Sequence, residues 1–150
     1  ELVQATYRNS QALFLKMRDL ATARGARFMV LLIPAKFQVA RDVLLREGAD
    51  VPELLEASGA SVQRLEDAYL EFFQAHGIPA LSARERLGEL YRMALEEDND
   101  VYPRDDEHPR EEGYAAMAEV ARELRATTSA GYNKPLRQAH SRSAGQGGSG

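Results

Sequence analysis

The sequence predicts an α/β chain built on a parallel sheet, and three observations carry that prediction. Residues 28–33 form an unbroken apolar run closed by Pro34, the pattern of a strand covered on both faces of a parallel sheet. Stretches with apolar residues at helical spacing flank this run, and the order of helix then short apolar strand recurs over residues 65–81, which is how α/β folds alternate. A final amphipathic stretch, led by Pro109, follows a loop dense in acids.

Each element has its own local signals. Leu13, Phe14, Met17, Leu20 and Ala21 share one face of a first helix, with Asn9 and Ser10 suited to cap its start and Gly25 to stop it. Residues 35–59 suggest two short helices, around Val43-Leu44 and Leu54-Leu55. Leu65, Tyr69, Phe72 and Phe73 line the next helix, which stops at His76-Gly77 before a short strand over residues 78–81. Ser82 and Glu85 have capping-box spacing for a helix through Leu87, Leu90, Tyr91, Ala94 and Leu95. In the last helix Pro109 fits the first position, and Glu111 and Glu112 suit the positive N-terminal end. Tyr114, Met117, Ala118, Ala121 and Leu124 are expected to form its buried stripe.

Two strands are too few for the sheet they imply. A two-stranded sheet is not expected to be stable alone, least of all with a strand buried on both faces. The remaining strands are expected upstream of Glu1, from a second chain, or from a weak strand over residues 2–7. The first source is preferred, and the chain is read as part of a longer polypeptide.

Composition narrows the function classes. With 44% hydrophobic residues in 150, the chain can bury one core. No apolar run nears the roughly 20 residues of a membrane-spanning helix. The absence of cysteine excludes disulfides and thiolate metal sites and leaves the redox compartment open. The formal net charge of −4 divides into +3 for residues 127–150 and −7 for residues 1–126. An acidic body argues against a nucleic-acid groove, which needs a basic face. Residues 127–150, rich in Ser, Gly and Ala, read as a disordered tail behind a domain over residues 1–126.

The chemistry concentrates in one loop. Asp105 stands three residues before His108, just ahead of the final helix. A neutral imidazole can deprotonate a hydroxyl nucleophile, while a carboxylate fixes its tautomer and stabilises the imidazolium that forms.

Three segments in order resemble the second half of the SGNH (GDSL-like) hydrolases: residues 25–36, residues 77–81, and Asp105-x-x-His108-Pro109 through Gly113-Tyr114. The Ile33-Pro34-x-Lys36 segment is similar to a subset acting on envelope or exopolysaccharide acyl groups. The resemblance implies a three-layer α/β/α flavodoxin-like parallel sheet, present here only as its C-terminal part. It implies a serine esterase or O-acyltransferase whose catalytic groups here are His108 and Asp105, acting on a small-molecule or carbohydrate ester in a periplasmic or extracellular setting. The nucleophilic Ser and the Gly and Asn of the oxyanion hole would then precede Glu1, so this segment alone is expected to be inactive. No cofactor is implied.

Other readings stand beside this one. Asp105 or Asp106 could cap a turn, with His108 a polar loop residue. Asp105, Asp106, Glu107 and His108 together offer metal-ligand chemistry, although consecutive residues rarely converge on one ion. Lys36 follows a strand end, where α/β proteins tend to place ligand-contacting groups, but reads first as a solvated lysine; His76 reads as a helix C-terminal residue and His140 as part of the tail, while Ser10, Ser58 and Ser61 suit caps or loops. The competing function class is a noncatalytic module of the same fold that binds a glycan or a partner.

Overall fold

The computed structural model describes residues 2–97, 99, 101–103, 106 and 108–132. Helix α1 (Leu2–Ala23) leads into strand β1 (Val30–Leu32), followed by α2 (Lys36–Arg46) and α3 (Glu53–Ala75). Strand β2 (Ala80–Ser82), α4 (Arg84–Glu96) and α5 (Glu111–Tyr132) complete the order. The two strands pair in parallel, Val30 with Ala80, Leu31 with Leu81 and Leu32 with Ser82. Parallel pairing requires a crossover connection, and α2 with α3 supplies it.

Residues 2–7 are helical, not a weak strand. Ser10 lies inside α1 because its hydroxyl has a tertiary partner: Tyr69 Oη donates to Ser10 Oγ at 2.9 Å. Tyr7 Oη donates to the Ala68 carbonyl at 2.8 Å, and the Tyr7 and Tyr69 rings meet edge to face at 4.8 Å. Phe14 packs edge to face on Phe73 at 5.0 Å. The half-buried face of α1 therefore runs through Tyr7, Ser10, Phe14 and Ala21, while Leu13, Met17 and Leu20 are exposed. Gly25 and Gly77 end their helices with φ of 69° and 63°, the left-handed region open to glycine.

Strand β1 is shorter than the apolar run and half-buried along its length, not covered on both faces; Ile33 is exposed. With β2 its one neighbour among the described residues, β1 does not have the setting of a central strand. The core lies instead between α2, α4 and α5, where Val39, Leu87, Ala94, Val101, Tyr102, Ala116, Met117 and Val120 are buried together. The buried stripe of α5 runs through Gly113, Ala116, Met117, Val120 and Leu124, so Tyr114, Ala118 and Ala121 face outward. Helix α5 continues to Tyr132, and the boundary the sequence suggests at residue 126 falls within it. Thr127 and Thr128 fit because their hydroxyls donate to the Leu124 carbonyl at 3.0 and 2.6 Å.

Helix α3 absorbs the Leu54-Leu55 stretch into one long helix. Gly59 in its interior lowers helix propensity, but a Cβ there would lie 2.1 Å from Arg41 Cδ. The missing side chain lets Arg41 cross α3 and donate to both oxygens of Glu56 at 2.9 and 2.6 Å. Asp42 binds Arg84 in the same network, at 2.5 and 2.8 Å. These pairs tie α2 to α3 and α4.

The hydrogen bonds from Arg41 hold the Glu56 carboxyl below the usual glutamate range. A carboxyl whose pKa is depressed by folding stabilises the fold above its unfolded pKa, and that contribution is lost as pH falls through the folded value. The melting temperature is therefore expected to fall on acidification below the ordinary glutamate range. A melting series against pH, followed by circular dichroism, should show a shallower fall in Glu56→Gln; equal slopes would remove Glu56 from the account.

Candidate active site

The loop between α4 and α5 is fastened at its ends and at its middle. Val101 and Tyr102 are buried in the core, and Arg110 N–H donates to the Val101 carbonyl at 2.7 Å, joining the two ends. Pro109 presses on the start of α5 where Gly113 leaves room, since a Cβ there would meet Pro109 Cβ at 2.3 Å. Pro109 precedes α5 and does not open it, for the helix starts at Glu111.

His108 sits in this loop with its Nδ1 2.8 Å from Asp106 Oδ1. The same oxygen accepts the backbone N–H of His108 at 2.9 Å, the two-residue reach of an Asx turn. An ionised carboxylate can only accept, so in the neutral ring this contact selects the Nδ1–H tautomer, in which Nε2 carries the lone pair. Asp105, the acid expected from the three-residue spacing, lies outside the described residues, as does Glu107. Among the described residues, Asp106 is the carboxylate that reaches the ring. The sequence signal for it is Asp-x-His, where a short side chain can fold back on the residue two ahead.

The imidazole is 77% exposed and the Asp106 carboxylate 50%. An exposed pair contributes little to stability, so what Asp106 supplies is orientation and tautomer. The loop also lies near the carboxyl end of β1: Lys36, the first residue of α2, donates from Nζ to the Pro103 carbonyl at 2.5 Å and to the Asp106 carbonyl at 3.3 Å. Lys36 is thus bound to the histidine loop, and its reading as a solvated lysine is corrected. Crevices beyond the carboxyl ends of strands are where α/β folds bind ligands.

Other polar groups are engaged elsewhere. Ser82 Oγ accepts the Arg84 N–H at 3.1 Å, which replaces the expected capping box, and Ser61 Oγ donates to the Ala57 carbonyl at 2.9 Å. Among the described residues no serine hydroxyl bonds to His108, and no group of three or more His, Asp or Glu side chains converges as a metal site. His76 ends α3 with its Nδ1 2.8 Å from the Phe72 carbonyl. A cleft of about 570 Å³, lined in part by Arg41, Asp42, Gln63, Glu66, Ser82 and Arg84, holds the ion pairs of Arg84 with Asp42 and Glu66. No helix among the described residues is long and apolar enough to cross a membrane.

A protein-family model described as an SGNH hydrolase-like domain of the acetyltransferase AlgX matches residues 2–147. The chain belongs to this family. Comparisons with curated proteins and with solved structures gave no match. Membership places this SGNH hydrolase-like domain among acyl-transferring or acyl-hydrolysing folds. The parallel strand pair, with α2 and α3 as its crossover, accords with an α/β domain of that kind.

Proposed function

We propose that the chain carries the acid and base of a serine-dependent acyl-transfer site. His108 Nε2 takes the proton from a serine hydroxyl as the oxygen attacks an ester carbonyl, and the imidazolium then protonates the leaving alkoxide. Asp106 holds Nδ1–H through the cycle. The acyl-enzyme passes its acyl group to water or to a sugar hydroxyl, and the same residues serve both outcomes. The observation that carries the reading is the 2.8 Å contact between Asp106 and His108 Nδ1, which leaves Nε2 free and exposed.

The name of the matched family supports a carbohydrate acyl ester as substrate. The reading also takes β1 and β2 as part of a larger parallel sheet in a three-layer α/β/α domain. Their half-burial, and the instability expected of two strands alone, support that architecture. The reading takes the serine from outside the described residues, among which no serine hydroxyl bonds to His108.

The test is covalent labelling of the full-length polypeptide with a fluorophosphonate probe, beside a folded His108→Ala variant. Labelling that disappears in the variant is the expected result. A folded parent that stays unlabelled while a control esterase reacts would overturn the serine mechanism and favour a noncatalytic binding module.

A further inference from the structure

Lys36 joins two parts of the chain that are far apart in sequence. It opens α2 just beyond the end of β1, and its ammonium donates to the carbonyls of Pro103 and Asp106. Both residues lie shortly before His108 in the sequence, and the Asp106 N–H donates to the Pro103 carbonyl at 3.4 Å. The carbonyls of Pro103 and Asp106 thus converge on one cation. An ammonium suits this place because it offers three donors and no acceptor, so one side chain serves two carbonyls.

From this arrangement we propose that Lys36 is the positioning residue of the acid–base pair: it holds the Asp106 backbone where the carboxylate meets His108 Nδ1. The proposal rests on the reading of His108 as general base. Lys36 touches the loop backbone and acts on the imidazole through Asp106. The ends of the loop are fastened independently, by the bond from Arg110 N–H to the Val101 carbonyl and by the burial of Val101 and Tyr102. Removing the ammonium should therefore release the middle of the loop and leave the fold intact.

The test uses Lys36→Cys in the full-length polypeptide. The chain has no native cysteine, so 2-bromoethylamine rebuilds a lysine-length ammonium at this one position within it. Two readouts are taken: the rate of fluorophosphonate labelling, and the nitrogen NMR spectrum of the His108 ring, which reports the tautomer without any need for activity. In Lys36→Cys, labelling should slow by about tenfold or more, as expected for a displaced base. The neutral ring should shift from Nδ1–H toward the Nε2–H form that an unconstrained imidazole favours. Aminoethylation should restore both. Unchanged labelling and tautomer in Lys36→Cys would overturn the proposal, as would losses that aminoethylation fails to repair. If the parent itself is not labelled, the serine reading fails, and the tautomer alone decides the role of Lys36.

Discussion

Asp106→Asn is expected to slow fluorophosphonate labelling by about 10⁴-fold, the order seen when a triad carboxylate becomes an amide. The amide is nearly the same size, so the loop should keep its course. What changes is the chemistry at Nδ1, where an NH₂ group turned toward the ring would favour the tautomer that carries its proton on Nε2 and cannot accept from a hydroxyl. The charge that stabilises the imidazolium is lost as well. Both side chains are largely exposed, so unfolding curves of the variant should overlay those of the parent. Asp105→Asn is the comparison that identifies the acid. The contact between Asp106 and His108 predicts the loss at position 106, and a loss at 105 with little change at 106 would return the role to Asp105.

The adjacent acids show where sequence reasoning reached its limit. Residues 105–108 and the amphipathic stretch behind them point to the loop, its histidine and a nearby carboxylate as candidates for acid–base chemistry. Choosing between Asp105 and Asp106 depends on turn geometry, because one residue of shift re-aims a side chain. The Asx turn that brings Asp106 to the ring is a local motif, visible as Asp-x-His once its two-residue reach is considered. Lys36 was not legible in this way, since its partners lie 67 and 70 residues further along the chain. Spacing carries no information about such a contact.

The fold divides along the same line. Glycine stops at Gly25 and Gly77 and a parallel pair of short strands are legible in the sequence and present in the structure. The local pattern misleads where a tertiary partner changes a residue's meaning. Ser10 looks like a cap until Tyr69 takes its hydroxyl. The Leu54-Leu55 stretch looks like a short helix of its own, yet α3 runs on through Gly59, whose missing side chain leaves room for Arg41. In α5, Tyr114 looks like the first core residue, but the buried position is the glycine before it. A hydrophobicity pattern ranks Tyr above Gly for burial, whereas close packing against Pro109 requires the reverse.

That packing makes Gly113→Ala a sensitive probe of the site. In an exposed helix the change would stabilise by about 1 kcal/mol through helix propensity. Here the new methyl would lie 2.3 Å from Pro109 Cβ and 3.0 Å from its Cγ. Ring atoms of proline cannot swing aside, so the backbone at 108–109 has to move and carry His108 with it. Overpacking of this kind costs about 1–3 kcal/mol, which outweighs the propensity gain, and urea unfolding should show a net loss of stability. Labelling should fall by about a hundredfold, because displacing a general base by the order of an ångström has that effect. Adding Pro109→Gly removes both offending atoms, so the double variant should recover most of the labelling rate, a coupling that a double-mutant cycle measures directly. Should Gly113→Ala prove more stable than the parent and label at the parent rate, the contact between Pro109 and α5 would not be what sets the position of His108.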